Sequence, residues 1–139
     1  MATKVRDIMT GSPTSVSPDL DLAAVARTMR DEDIGNVLVI DGEDLQGLVT
    51  DRDLVVRGIA SGLDPSTIKI GGICSSVTAS VGPDDDLDDA VRLMRERAVR
   101  RLPVLENGHA VGIISLGDLA LEKDARSALA HISAAKPSQ

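Results

Sequence analysis

The sequence predicts an α+β fold in which one strand–helix–strand–strand–helix unit occurs twice. Apolar residues at helical spacing alternate with short strand-like runs, which indicates a mixture of helix and sheet. The same order starts again after 65 residues without a gap, from Ile8 and Ile73 to Leu54 and Leu119. Because neither half has much apolar core alone, we expect the halves to pack sheet to sheet with pseudo-two-fold symmetry.

The first half begins with a short helical turn at residues 5–9 and a short strand at residues 14–16. Asp21 predicts a helix start, because its carboxylate can accept a hydrogen bond from a backbone N–H of the first turn. The acidic run at residues 31–33 ends this helix. Its apolar stripe has the spacing of one helix face and consists of Leu22, Val25, Ala26 and Met29.

A hairpin and a second helix complete the unit. Residues 37–40 are continuously apolar, which predicts a strand buried on both faces. Residues 41–44 predict the hairpin turn, and residues 45–49 predict the returning strand. The second helix is predicted to begin after Thr50, with apolar positions at Leu54, Val55 and Ile59.

The composition limits the kinds of partner. The 139 residues carry a net charge of −7 and include no Phe, Tyr or Trp, which argues against a nucleic-acid partner. No apolar run approaches the roughly 20 residues of a membrane span. One cysteine excludes an internal disulfide, and His109 and His131 have no neighbouring metal ligands. We therefore predict a soluble, cytoplasmic protein with no nucleic-acid partner, no membrane partner and no metal site.

One turn carries the polar chemistry of each half. Residues 47–54 join a strand to a helix, and residues 112–119 repeat that pattern. Each turn has a hydroxyl at the helix N-cap and a carboxylate three residues later, which together can hold a polar ligand. Gly47 lets another backbone or a ligand come close. Alternatively, Thr50 and Ser115 only cap helices, and the aspartates only complement helix dipoles.

The repeat, the Gly-apolar-apolar-Thr/Ser-x-x-Asp turn and the strand Leu102-Pro103-Val104 resemble the CBS domain. Two such domains in tandem resemble a CBS pair, or Bateman module, and residues 50–65 are similar to stand-alone CBS-pair proteins of the hypoxic-response type. The repeat and the resemblance together imply CBS repeat 1 at residues 1–66 and CBS repeat 2 at residues 67–124. Apolar residues at helical spacing also predict a C-terminal helix, with a tail, at residues 125–139.

The resemblance also implies an adenine-nucleotide site on each turn. The carboxylates of Asp53 and Asp118 would accept hydrogen bonds from ribose hydroxyls, and Thr50 and Ser115 would lie near the phosphate. The ligand would be AMP or ATP, and no cofactor is required. Apolar slots for the base would be lined by Val16, Val37 and Leu38 in one site, and by Val81, Leu102 and Pro103 in the other.

The phosphate sides of the two sites are predicted to be unequal. Arg100 and Arg101 stand where CBS domains often place basic residues that meet phosphates, whereas their first-half counterparts are Gly35 and Asn36. We therefore expect Arg100 or Arg101 to serve a nucleotide's phosphate in the second site alone. The alternative is a solvated arginine pair that balances an acidic chain.

These expectations favour a non-catalytic regulatory module that senses an adenine nucleotide such as AMP, ADP or ATP as a signal of energy or stress. The sequence shows no nucleophile–base pair and no acid–base dyad. Exposed apolar residues such as Leu54 and Val55 predict a homodimer through the second helices, which would act on an unknown downstream protein. The alternative is a structural or interaction dimer with unoccupied clefts.

Overall fold

The computed structural model describes residues 3–123, and these form two compact units. The first unit is Pro13–Thr78, and the second unit joins the chain up to Ser12 to the chain from Ala79 onward. Each half of the sequence thus begins with a segment that belongs to the other unit. The repeat bounds 1–66 and 67–124 stay a prediction about the sequence period, and the predicted C-terminal helix and tail at residues 125–139 lie outside the described residues.

The described elements confirm the α+β prediction, because each unit combines a sheet with helices. In chain order they are α1 (Val5–Ile8), β1 (Thr10–Gly11), β2 (Ser15–Val16), α2 (Leu22–Glu32), β3 (Asn36–Asp41), β4 (Asp44–Thr50), α3 (Asp51–Asp53), a π-helical segment (Leu54–Gly58), a 3₁₀ turn (Ile59–Ser61), a second 3₁₀ turn (Ile70–Gly72), β5 (Ser75–Ser76), α4 (Leu87–Arg97), β6 (Arg101–Glu106), β7 (His109–Ser115) and α5 (Leu116–Lys123).

The first unit packs α2 against a sheet with the strand order β2-β3-β4-β5. Asp21 caps α2 as predicted, since its Oδ1 accepts a hydrogen bond from Ala24 N at 2.8 Å. The predicted buried strand and hairpin are confirmed by β3 and β4, which pair antiparallel from Asn36 and Thr50 onward. Val37 of β3 lies in the core with α2 and has no exposed surface.

The second helix of this unit is less regular than its sequence predicts. Only Asp51–Asp53 is α-helical, and the chain continues as the π-helical segment and a 3₁₀ turn. Three β-branched residues in this stretch are weak α-helix formers. A Cβ on Gly58 would also overlap Leu22 Cδ1, so the backbone there packs directly against α2. Direct packing of backbone on a helix, together with these propensities, accounts for the departure from α-helical geometry.

The second unit packs α4 against a sheet with the order β1-β7-β6. Val81 forms a single parallel bridge to Val104, which stands in place of a strand equivalent to β2. Asp86 occupies the N-cap position of α4 but makes no side-chain cap, because its Oδ1 pairs with Lys4 Nζ at 2.8 Å. The two units therefore share the same arrangement of a helix on a sheet but differ in how α2 and α4 are capped.

Each hairpin pairs antiparallel with a short strand from the other half of the sequence, β5 beside β4 and β1 beside β7. The strands approach closely because β4 and β7 each have a glycine at the pairing position. A Cβ on Gly47 would overlap the carbonyl oxygen of Ser75 and lie 2.9 Å from Cys74 Sγ. A Cβ on Gly112 would lie 2.6 Å from Met9 Sδ and 2.9 Å from the carbonyl oxygen of Thr10. Both glycines thus admit a neighbouring backbone, which is one of the two roles predicted for Gly47.

The turn α1 is anchored in the core of the second unit. Val5 has no exposed surface and belongs to the same apolar cluster as Leu102 and Ile114. An ion pair on the surface adds to this anchor, with Arg6 Nε 2.9 Å from Asp84 Oδ1. The burial of Val5 is the larger contribution, because exposed ion pairs stabilise little.

We expect Val5→Ala to lower the free energy of unfolding by about 2 kcal/mol, because it removes buried methyl groups and leaves a cavity. Arg6→Ala should have a much smaller effect. The hydrogen bond from Arg6 lowers the pKa of the Asp84 carboxyl, so the pair stabilises the fold above the unfolded pKa of an aspartate. That stabilisation is lost as the pH falls through the lowered pKa. Urea denaturation at neutral and acidic pH measures both variants, and equal losses would contradict this ranking.

Candidate functional site

The two turns singled out in the sequence have the same geometry. Thr50 ends β4 and its Oγ1 accepts a hydrogen bond from Asp53 N at 3.2 Å. Ser115 ends β7 and its Oγ accepts a hydrogen bond from Asp118 N at 3.1 Å. Both hydroxyls therefore cap the helix that follows, as the sequence predicts for an N-cap.

The aspartates of these turns complete the caps from the other side. Asp53 Oδ2 accepts a hydrogen bond from Thr50 N at 2.9 Å, and Asp118 Oδ2 accepts one from Ser115 N at 2.9 Å. Each turn is thus a reciprocal capping box with Asp in place of the more usual Glu or Gln. The capping role left open as an alternative is therefore real in both units.

Capping uses only one oxygen of each carboxylate. Among residues 3–123 no donor reaches Oδ1 of Asp53 or Asp118, and neither oxygen is a buried atom without a partner. Both side chains are half-buried, and Oδ1 remains open to solvent. A carboxylate held by its own cap is a fixed acceptor, so capping and ligand binding are compatible in one side chain.

Two arginines lie beside the second turn. Arg101 pairs with Ser115 across β6 and β7, and Leu116 N donates to the carbonyl oxygen of Arg100 at 2.8 Å. Neither arginine forms an ion pair with a residue in the described part of the chain. The structure thus brings Arg100, Arg101, Ser115 and Asp118 to one corner of the second unit.

The six residues proposed for the base pockets are all partly or fully buried. Val37 and Leu102 lie in the cores of their units, while Leu38 and Pro103 follow them in the strand and face the opposite side of the sheet. Val81 bridges to β6, and Val16 pairs with β3. Their contact with a base stays a prediction, and Leu38 and Pro103 are the two that do not belong to either core cluster.

The apolar residues exposed on the second helix of the first unit are only partly the ones predicted from the sequence. Leu54 is only 5% exposed and packs in the core, so the prediction that it is exposed was wrong. Val55 is 59% exposed as predicted. The exposed set, which we call the Val55 surface, also includes Val56 and Ile59.

A cavity of 390 Å³ lies beside α4 and α5 in the second unit, and the sequence analysis did not find it. Its one charged lining residue is Arg95, and Leu116, another lining residue, is 53% exposed. The only signal in the sequence was an apolar residue at 116, where the first half has Asp51. The lining consists of Val91, Met94, Arg95, Val99, Leu116, Leu119 and Ala120.

Two further features of residues 3–123 bear on function. No group of three or more His, Cys, Asp or Glu side chains within this range is placed to hold a metal ion. No helix within it has the length and apolar character needed to cross a bilayer.

The tandem α+β units, each with a hydroxyl–carboxylate box between a hairpin and a helix, define a class of small duplicated domains. The chain belongs to the CBS domain family, whose model matches residues 5–58 and 70–123. Two matches in one chain make it a tandem CBS protein, in agreement with the resemblance drawn from the sequence.

Known relatives align along most of the chain. The CBS domain-containing protein YhcV of Bacillus subtilis is 36% identical over 133 residues, which is 93% of this chain and 94% of the relative. Hypoxic response protein 1 of Mycobacterium tuberculosis is 37% identical over 119 residues, which is 85% of this chain and 83% of the relative. The predicted similarity to hypoxic-response-type proteins is confirmed.

Solved structures support the same conclusion about the fold. A crystal structure of Hypoxic Response Protein I with two coordinated zinc ions matches with a TM-score of 0.75 at 37% identity, covering 86% of this chain and 98% of that one. A hexameric CBS-CP12 protein from bloom-forming cyanobacteria matches with a TM-score of 0.79 at 25% identity, covering 89% of this chain and 74% of that one.

Proposed function

We propose that this protein is a non-catalytic regulatory CBS pair that binds an adenine nucleotide such as AMP, ADP or ATP and signals energy or stress to a partner protein. The observation that carries the proposal is the repeated turn whose carboxylate keeps one oxygen free after capping its own helix. No cofactor is required. A cytoplasmic location stays a prediction.

In the second unit the chemistry of the proposal can be followed residue by residue. Asp118 Oδ1 would accept hydrogen bonds from the ribose hydroxyls, since a fixed carboxylate suits a vicinal diol. The guanidinium groups of Arg100 and Arg101, which form no ion pair within residues 3–123, would meet the phosphate, for which arginine provides a planar set of donors. The base would lie on the sheet face that carries Pro103.

Asp118→Ala should abolish the rise in melting temperature that millimolar AMP causes in the unaltered protein, because ligand stabilisation follows RT ln(1 + [L]/Kd). The variant also loses a helix cap, which costs about 1 kcal/mol. Asp21→Ala is the matched control, because it removes the cap of α2 at a comparable cost but leaves the proposed site intact. Thermal unfolding with and without AMP, ADP and ATP measures each variant.

An AMP-induced shift that survives in Asp118→Ala would contradict the assignment of the ribose to Asp118. If the unaltered protein shows no shift with any of the three nucleotides, the proposed function is wrong. Calorimetry is expected to give a stoichiometry nearer one than two AMP per chain at low ligand concentration, because Gly35 and Asn36 replace the two arginines in the first unit.

The second candidate function is an interaction dimer whose sites stay empty, and the Val55 surface favours it. The three exposed β-branched residues Val55, Val56 and Ile59 lie close together in the chain, which is unusual for a surface that only meets water. We propose that a second copy of this chain covers the Val55 surface. A homodimer is compatible with either function, because the Val55 surface and the free carboxylate oxygens are separate features.

A further inference from the structure

The two candidate sites differ in charge at equivalent positions of one backbone frame. In the second unit Leu116 N donates to Arg100 O at 2.8 Å, and in the first unit Asp51 N donates to Gly35 O at 2.9 Å. These pairs are separated by the repeat period of 65 residues. The change from Arg100 and Leu116 to Gly35 and Asp51 is therefore a substitution within a shared geometry and not a shift in register.

The carboxylate of Asp51 stands where the first site would otherwise have room for a basic side chain. Asp51 Oδ2 lies 3.2 Å from the point at which a Cβ on Gly35 would be placed. Asp51 Oδ1 accepts a hydrogen bond from Arg52 N at 2.8 Å, which orients the group. An anion thus lies beside the point from which a side chain at position 35, the counterpart of Arg100, would extend.

The residues around Asp51 and Leu116 also leave the two sites with different net charges. The five frame positions of the first site carry a net charge of −1 and those of the second site carry +1. The single cation in the first set is Arg52, an exposed residue that follows Asp51. The first set is Gly35, Asn36, Asp51, Arg52 and Asp53, and the second set is Arg100, Arg101, Leu116, Gly117 and Asp118.

We infer that Asp51 is a specificity-determining residue that makes the first site select an adenosine-type ligand with a cationic 5′ substituent and reject a 5′-phosphate. The inference rests on the proposed function, since it assigns a ligand class to the first of the two adenosine sites. A phosphate near Asp51 would meet a like charge, and the one arginine of this set, Arg52, is exposed and lies between two aspartates. An ammonium group would instead meet an opposite charge. The second site, with Arg100 and Leu116, keeps the preference for phosphate.

Three probes that differ only at the 5′ position test this: AMP, adenosine and 5′-amino-5′-deoxyadenosine. In full-length Asp118→Ala protein, where the second site is disabled, we expect calorimetry to show the amino compound binding at least tenfold more tightly than AMP, with adenosine between them. Adding Asp51→Asn should bring that ratio close to one. Asparagine keeps the shape of the side chain and an oxygen for Arg52 N, so the change isolates the charge.

The reciprocal substitution is Leu116→Asp, made in otherwise unaltered protein. Leu116 is 53% exposed, so a carboxylate there meets water and the fold should be retained. We expect this variant to bind AMP at least tenfold more weakly than the unaltered protein, with little change for adenosine. Ligand-free thermal unfolding of each variant confirms that it folds.

The experimental outcomes distinguish failure of this inference from failure of the proposed adenine-nucleotide binding. If none of the probes binds the unaltered protein, the proposed function fails and the inference fails with it. If AMP binds the unaltered protein but Asp118→Ala binds no probe, or if Asp51→Asn leaves the ratio of amino compound to AMP unchanged, only the inference is overturned. A fall in AMP affinity in Leu116→Asp supports it independently of the first site.

Discussion

Gly47→Ala is expected to be the most destabilising single-methyl substitution in the described part of the chain, with a loss of about 3 kcal/mol in the free energy of unfolding. The added Cβ would overlap the carbonyl oxygen of Ser75 and crowd Cys74 Sγ at 2.9 Å. A backbone oxygen cannot rotate away as a side chain can, so β5 must shift as a whole. For a chain of this length the melting temperature should fall by about 10 °C.

Two other Gly→Ala substitutions, with smaller expected losses of stability, serve as comparisons. Gly112→Ala should cost about 1–2 kcal/mol, because its nearest neighbour is the flexible end of Met9 at 2.6 Å and the backbone oxygen of Thr10 is farther away, at 2.9 Å. Gly72→Ala should be within about 0.5 kcal/mol of the unaltered protein, because no atom lies within 4 Å of its added Cβ. Thermal and urea denaturation rank the three variants. A Gly47→Ala protein as stable as Gly72→Ala would contradict the close approach of the β5 backbone to Gly47.

The sequence predicted local features well, because each depends on nearby residues. The cap of α2 follows from one carboxylate at Asp21, and the hairpin follows from an apolar run before a turn of the right chemistry. The pairing of β1 with β7 and of β5 with β4 could not be predicted in this way. A repeat of 65 residues gives the order of elements but not the unit into which each initial segment packs.

The candidate site was likewise predictable from the sequence only in part. The turn residues Thr50, Asp53, Ser115 and Asp118 were identifiable from the repeat, but the sequence left capping and ligand binding as alternatives. The structure removes that opposition, because a carboxylate has two oxygens and the cap uses one. The charge of Asp51 was also visible in the sequence, yet its importance depends on its distance to Gly35, which no spacing rule provides.

The irregular second helix illustrates a limit of apolar periodicity. Leu54 and Val55 are both apolar and adjacent, and both were predicted from the sequence to be exposed. In the structure Leu54 packs in the core, and Val55 starts an exposed surface. The π-helical turn that begins at Leu54 places more residues in each turn than an α-helix does, so helical spacing no longer tells which side faces outward.

Val55→Glu is expected to convert the proposed homodimer into monomers. Val55 is 59% exposed in the isolated chain, and Val56 and Ile59 are also exposed, so three large apolar side chains are available to a second copy. Losing one buried valine and burying an unpaired carboxylate instead should weaken the dimer about 100-fold or more. Light scattering after size-exclusion chromatography over a range of protein concentrations measures the mass directly.

Gln46→Glu is the matched control, because it adds the same charge at an exposed position of β4 and should leave the mass unchanged. The fold of Val55→Glu should be retained, since the side chain is exposed in the single chain. Adenine-nucleotide binding to the monomeric variant then distinguishes two kinds of sensor. Undiminished AMP affinity would mean that each chain binds independently, whereas weakened affinity would mean that the second copy stabilises the binding-competent state. A Val55→Glu protein with the same dimer mass as Gln46→Glu would show that another surface joins the copies.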